Sequence, residues 1–451
     1  MEEIVCKKGK KFEYCIEEFL FKWGLEGVNF WTRDSLQKEE ENWILYSRGF
    51  VVICVLQFTK LMFKFLKSAG GFKKPLNNHL VTYPSPGSFN FFWSLGSLLG
   101  IMLGVQICTG ILCAMYYCPQ MDIAFDSVMH LMRNISGGWT IRYMHANGAS
   151  FIFILIYAHM ARGLYYRSYR YPRQYVWISG VVIFILMAAT AFLGYVLPWG
   201  QMSFWGATVI TNIISSIPVV GKPIVEWIWG GPAINNATLT RFYSLHYLLP
   251  FIIAALAIVH ILLLHSVGSS SPTGVLTGND AIHFSPYYIW KDILGVVFVI
   301  TALLLVVCYA PNMFSHPDNN IAASPTVTPR HIVPEWYFLI FYAILKSIPD
   351  KLGGAIFMGL SMLCLFFFPF VDSKRETSNK LTIWYGLSFF VFIVVVCLLG
   401  WFGGRTPVSE TMIITQCLTL YYFIHILVIV PYLGKLNDKY HNATIDKVDK
   451  R

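Results

Sequence analysis

Four histidines carry the spacing from which chemistry can be read. His145 and His159 share one charge-free window of the chain, and His246 and His260 share another; both pairs are 14 residues apart. In an α-helix 14 residues rise about 21 Å and fall roughly 40° short of four full turns. Each pair therefore lies on one helix face, with one imidazole near each end. A lone histidine in an apolar segment is often satisfied by a hydrogen bond to a neighbouring helix. Two pairs with equal spacing favour metal chemistry instead. Imidazoles facing each other at two depths are what two bis-histidine haems need, imidazole being a common haem ligand. A metal cluster is the competing reading. No carboxylate accompanies the four histidines within the apolar windows, and the separation along each helix forbids a single shared ion.

Glycine and arginine fall into the same register. Gly96 and Gly110 in the first apolar window, and Gly180 and Gly194 in the third, are again 14 apart. If successive spans alternate in direction, the second and fourth are parallel, so His145 matches His246 in depth and His159 matches His260. Gly96 and Gly180 then fall beside His159 and His260, and Gly110 and Gly194 beside His145 and His246. A flat macrocycle edge needs close backbone approach, which the missing Cβ of glycine permits; ordinary small-residue helix packing is the alternative. Arg142 precedes His145 by three residues, Arg241 precedes His246 by five, and Arg162 follows His159 by three. A guanidinium at a helix end reaches a propionate bidentately, or snorkels to the interface.

The elements that must hold these residues are legible from the charges. Eight windows lack Asp, Glu, Lys and Arg: 88–121, 143–161, 174–221, 242–279, 293–317, 352–371, 381–404 and 411–434. A spanning helix needs roughly 17–25 apolar residues, so each window supplies one span. The longest, 174–221, is read as a helix to about residue 198, broken by Pro198-Trp199-Gly200, and then interfacial structure. Charged residues make up 13% of the 451 and mean hydropathy is +0.55, against about 25% charge in soluble domains. The fold class expected is an all-α integral membrane protein of eight transmembrane helices, the first four forming a bundle around the histidines.

Positive charge orients the chain. Residues 1–80 and loops 162–175, 266–292, 372–380 and 433–451 hold 26 of the 34 Lys and Arg. They are placed on the cytoplasm-like or matrix-like side, with both termini. The net charge of +10 thus reports topology, and a nucleic-acid partner is not expected. None of the ten cysteines forms Cys-x-x-Cys, which argues against cysteine-held zinc and covalent haem attachment. No removable signal peptide is expected. Residues 1–72 stand apart as an extension: Met1–Glu41 is charge-dense, and Arg48–Lys67 reads as an apolar helix with Lys60, Lys64 and Lys67 on one side, suited to an interface or to a partner.

Three stretches carry a resemblance: Gly138-Trp139-Thr140-Ile141-Arg142-Tyr143-Met144-His145-Ala146-Asn147-Gly148-Ala149-Ser150, the segment Gly194 to Asn212 (GYVLPWGQMSFWGATVITN), and Pro334-Glu335-Trp336-Tyr337. They resemble the cytochrome b family, specifically the mitochondrial respiratory form found in ubiquinol–cytochrome c oxidoreductase (complex III). The resemblance runs from roughly Lys73 to the C-terminus. The undivided chain and the 14-residue spacing in both pairs look like the respiratory form, since the chloroplast relative is split.

The resemblance implies a domain plan of 1–72 extension, 73–292 di-haem bundle, 293–434 C-terminal helices with an outer loop, and 435–451 polar tail. It implies two non-covalent b-type haems. His145 and His246 would hold the low-potential one toward the intermembrane space, and His159 and His260 the high-potential one toward the matrix. At an outer ubiquinol site it places Glu335, Pro334, Tyr342, Phe192, Tyr195 and Gly206, with Glu335 as proton acceptor. At an inner ubiquinone site it places His265, Ser269, Lys291 and Asp292. Two departures, Ser266 after His265 and Ser285 before Pro-Tyr-Tyr, lie near that inner site. The implied partners are a Rieske-type iron–sulfur protein, a c-type cytochrome and other complex III subunits in a homodimeric assembly in the mitochondrial inner membrane. Two rival classes remain open: a cofactor-free transporter, and a di-haem dehydrogenase subunit without an outer quinol site.

Overall fold

A computed structural model describes residues 77–272, 281–372, 379–406 and 409–448. The extension 1–72, with its Arg48–Lys67 segment, lies outside the described residues. Residues 77–451 form one compact unit.

Among the described residues, eight helical stretches are long and apolar enough to cross a membrane, one per charge-free window. The helices in chain order are α1 (Leu95–Ala114), α2 (Ala124–Asn134), α3 (Gly138–Tyr165), α4 (Gln174–Val196), α5 (Gln201–Asn212), α6 (Gly221–Trp229), α7 (Asn236–Val267) and α8 (Tyr287–Tyr309). They are followed by α9 (Leu339–Ser347), α10 (Lys351–Leu363), α11 (Asn379–Gly403), α12 (Ser409–Ile424) and α13 (Val430–Val448). The chain after Pro198 turns into the short helices α5 and α6, as the proline–glycine break implied.

Local chemistry sets where the histidine helices begin. The Asn235 side chain accepts from the Ala237 and Thr238 amides while the Thr238 hydroxyl accepts from the Asn235 amide. This reciprocal cap satisfies amides that a helix start leaves unpaired, and it fixes the first turn of α7 and hence the depth of His246. Gly137, at φ 72°, makes the left-handed turn into α3 that other residues adopt reluctantly.

The bundle is two antiparallel pairs. α1 packs along α3 and α4 along α7, while α3 and α7 make at most marginal backbone contact with each other. The two histidine helices thus face each other across a gap rather than a seam. α8 packs on α1 and α3, and α9 is enclosed by α10, α11 and α12. Phe153, Met102, Leu303, Ile344, Leu399 and Ile426 belong to one buried core, so the segments 73–292 and 293–434 share a core across their boundary. Many large apolar side chains face outward, Phe298 and Ile383 among them, as hydrocarbon surroundings require. A small sheet pairs β1 (Pro84–Pro86) antiparallel with β2 (Ala281–His283).

Several helices outrun their charge-free windows, α3, α7 and α8 among them. α3 begins five residues before residue 143 and ends four after residue 161, so Arg142 and Arg162 lie within the helix itself. The expected polar tail 435–451 is helical as far as Val448. A charge-free window measures the length in lipid, whereas intrahelical hydrogen bonds continue the helix into water.

A two-tiered histidine site and an outer carboxylate

The four histidines meet as two pairs. The His145 and His246 ring centroids are 6.1 Å apart, and those of His159 and His260 are 6.5 Å apart. The register glycines sit beside the rings that their depths required. A Cβ built on Gly110 would stand 2.9 Å from Cε1 of His145, and one on Gly194 only 2.4 Å from Cε1 of His246. The corresponding approaches are 3.5 Å between Gly96 and His159 and 3.2 Å between Gly180 and His260.

Second partners orient the rings. His246 Nδ1 donates to the Thr190 carbonyl at 2.8 Å. The Thr109 hydroxyl donates to the Val105 carbonyl, so at 3.0 Å it accepts from His145 Nδ1. Ser179 likewise donates to the Val176 carbonyl and accepts from His260 Nδ1 at 2.8 Å. These bonds assign the proton of three rings to Nδ1 and leave the Nε2 lone pair toward the gap, as metal-ligating histidines are held by their outer partners. His159 differs. Its Nδ1 faces Arg162 Nη2 at 3.2 Å, and a guanidinium can only donate.

This arrangement tests whether the donor set fits a haem. An iron between two imidazole nitrogens, with metal–nitrogen bonds of about 2 Å, needs them about 4 Å apart with each ring centre a little further out. Centroid separations of 6.1 and 6.5 Å meet that. Nε of Arg162 is buried without a hydrogen-bond partner, and an anionic acceptor such as a propionate would satisfy it and release His159 Nδ1. The residues fit. Among the described residues no cluster of three or more His, Cys, Asp or Glu could hold a bare metal ion, which disfavours the metal-cluster reading.

One cavity of about 280 Å³ joins the outer pair to the carboxylate. It is lined by His145, His246, Gly110, Gly194, Arg142, Tyr195 and Glu335 among others. Burial pushes the Glu335 carboxyl up to about 7, against the opposing pull of the Tyr195 hydroxyl and Arg142. Glu335 is the residue immediately before the turn Trp336–Phe338, with Pro334 preceding it. The other outer-site residues are arranged differently. Phe192 packs edge-on against Phe242 at 6.0 Å, and Tyr342 lies under Lys346, whose ammonium is 4.6 Å from its ring centre. Gly206 has no atom within 4 Å of an added Cβ. Arg241 donates to the Trp227 carbonyl.

At the inner end, His265 stacks on Tyr83 with centroids 4.2 Å apart. Lys291 Nζ donates to the Phe89 carbonyl at 2.8 Å, and Asp292 faces the Ser94 and Ser97 hydroxyls. The Ser269 carbonyl accepts from Arg173 at 3.3 Å. His265, Lys291 and Asp292 thus gather around the segment preceding and opening α1, while Ser269 is tied to the residue before α4. Ser266 donates to the Leu263 carbonyl, a local bond within α7. Sequence reasoning missed Tyr83, Thr109, Ser179 and the Thr190 carbonyl. A signal existed for two of them, since Thr109 and Ser179 each immediately precede a register glycine.

A multi-span helical membrane protein with two stacked tiers of paired, oriented imidazoles is what these features define as a class. Family models described as cytochrome b/b6/petB and cytochrome b (C-terminal)/b6/petD match residues 80–268 and 322–423. The cytochrome b of Chondrus crispus is 50% identical over 368 residues, covering 81% of this chain and 97% of that protein. The cytochrome b of Rickettsia prowazekii is 48% identical over 397 residues, covering 87% and 96%. A solved structure titled hyperthermophilic respiratory complex III superposes with a TM-score of 0.77 at 29% identity, covering 83% of this chain and 99% of that one. The chain belongs to the cytochrome b family.

Proposed function

We propose that this chain is the di-haem electron-transfer subunit of a respiratory complex III in the mitochondrial inner membrane, with both termini on the matrix side. It oxidises ubiquinol at the Glu335 site and reduces ubiquinone at the His265/Asp292 site. The observation that carries this reading is the pair of imidazole tiers, with Nδ1 of three rings committed to Thr109, Thr190 and Ser179. His145 with His246 would hold one b-type haem and His159 with His260 the other, each carrying one electron at a time when bound.

The chain's own residues then do the following. Tyr195 and Glu335 line one cavity with the outer tier, so a quinol hydroxyl seated there lies beside a carboxyl whose affinity for protons is matched to neutral pH. A base tuned near the working pH takes up a proton most effectively. Quinol oxidation releases two electrons and two protons. One electron would pass to the haem pair and the other to a Rieske-type iron–sulfur partner that passes it to a c-type cytochrome. Glu335 would take one proton, and the second would leave to the outer side with the partner-bound electron. Phe192, Gly206, Pro334 and Tyr342 would shape the rest of the outer pocket. At the inner end His265 and Asp292, with Lys291 and Ser269, supply the two protons that ubiquinone reduction consumes. Release outside and uptake inside yield net proton translocation. Arg142 and Arg162 would hold propionates, and Arg241 would join them after turning from Trp227.

The test is a pyridine haemochrome assay on the purified complex, with the His159→Ala variant beside it. Two non-covalent b-type haems per chain are expected, and one in the variant. Fewer than two in the parent, or an undiminished content in the variant, would overturn the reading.

A further inference from the structure

Glu335 sits in an extended segment with no regular structure before it. Its carboxyl nevertheless has to stand at a defined place relative to the outer tier. What holds it follows from the two residues after it. Trp336 Nε1 donates to the Ser150 hydroxyl at 3.0 Å. The Tyr157 hydroxyl donates to the Tyr337 carbonyl at 2.5 Å. Between these bonds Phe153 stacks face to face on Tyr337, with centroids 4.0 Å apart and planes 3° from parallel. Ser150 and Phe153 are 2% and 1% exposed, so the clamp is dry.

Ser150, Phe153 and Tyr157 are spaced i, i+3, i+7 on α3 and share one face. At 100° per residue that face lies roughly 130° around the helix from the His145 and His159 face. Asn147, just above, donates to the Pro311 carbonyl at 3.0 Å and ties the start of the outer loop to the same side. One rigid helix thus carries the histidines on one face and grips the Glu335 loop with the other. A hydrogen-bonded and stacked pair of residues directly after Glu335 leaves its backbone little freedom.

We propose that Ser150, Phe153 and Tyr157 are positioning residues that hold Glu335 in register with the outer histidine tier through Trp336 and Tyr337. The proposal rests on the quinol-oxidation reading of Glu335 given above. A displacement of about 1 Å in a reacting group costs up to about 100-fold in rate. Removing one of three restraints is therefore expected to cost about tenfold, chiefly in kcat.

The experiment measures quinol oxidation by the intact complex carrying Ser150→Ala, Ser150→Thr, Glu335→Gln, or Ser150→Ala with Glu335→Gln, with haem absorbance recorded for each. The expected result is a roughly tenfold fall in kcat for Ser150→Ala with KM nearly unchanged. Ser150→Thr, which keeps a hydroxyl for Trp336, should recover most of the rate. Adding Ser150→Ala to Glu335→Gln should cost nothing further, because the positioned group is already gone. A full additional loss in the double variant, or a Ser150→Ala enzyme with unaltered kcat, overturns the positioning role. If Glu335→Gln itself leaves turnover unchanged, the failure belongs to the reading of Glu335 and not to the clamp. Tyr157→Phe gives a second route should Ser150→Ala lose haem, since it removes one hydroxyl and keeps the ring; a kcat equal to the parent's there also overturns the proposal.

Discussion

Replacing Gly194 by alanine is the sharpest probe of the histidine tiers. The added Cβ would lie 2.4 Å from Cε1 of His246, 2.9 Å from Nδ1 and 3.0 Å from Nε2. Carbon atoms rest about 3.5–4.0 Å apart, so the ring must retreat by roughly 1 Å. It cannot do so freely, because Nδ1 is tied to the Thr190 carbonyl at 2.8 Å. Overpacking of this kind costs about 1–3 kcal/mol, and stranding a buried donor or acceptor about 1–3 kcal/mol more. The helix-propensity gain from glycine to alanine offsets at most about 1 kcal/mol. A net destabilisation of about 1–5 kcal/mol follows, confined to the outer tier. Gly96→Ala is the milder case: its Cβ would meet His159 at 3.5 Å, ordinary contact, so the ring is not displaced and only a macrocycle edge would feel the added methyl. Thermal unfolding of the purified complex, with haem content by pyridine haemochrome, reads both. Gly194→Ala should lower Tm and deplete one haem of two, and Gly96→Ala should do both to a smaller extent. Equal losses in the two variants, or a greater loss in Gly96→Ala, would refute the tier geometry.

Burial holds the Glu335 carboxyl protonated up to about pH 7, and a base must be ionised to work. Quinol oxidation should therefore rise as pH increases through about 7 and fall below it, and Glu335→Gln should flatten that limb and slow turnover by about 100-fold or more with both haem spectra intact. A variant that keeps the parent's pH limb would show that another group sets it. On the inner side, Arg167 is paired with Asp372, with Nε donating at 2.7 Å, and the Tyr169 hydroxyl donates to the same carboxylate at 2.8 Å. Asp372→Asn leaves a buried guanidinium without its counter-charge, which costs about 3–5 kcal/mol. A clear drop in Tm with kcat unaltered in the surviving protein is the expected result, and an unchanged Tm would contradict it.

Most of the outline is legible in the sequence. Charge-free windows report spans because a charge in hydrocarbon is expensive wherever it sits, and the 14-residue register of His and Gly reports tiers because helical geometry is rigid. The parts that escaped notice are those without a period. Tyr83 stacks on His265 across 182 residues of chain, and Trp336 finds Ser150 across 186; no local pattern encodes either contact. The contact of Phe192 with Phe242 at 6.0 Å likewise joins segments 50 residues apart and has no local signal. Arg241 illustrates the reverse. Its spacing from His246 suited a propionate, yet the turn after α6 brings the Trp227 carbonyl within its reach and the guanidinium donates there.

Composition and periodicity alone established a membrane protein with eight spans and the pairing of histidines by depth. These follow from solvation and from the pitch of a helix, which are properties of a chain in lipid whatever its partners. Folding in three dimensions decided the rest: which ring nitrogen keeps its proton, how near Gly194 comes to His246, and how a loop residue such as Glu335 reaches the cavity of the outer pair. Those outcomes depend on side chains from distant segments competing for the same few ångströms, and such competition is settled only when all of the helices are packed together.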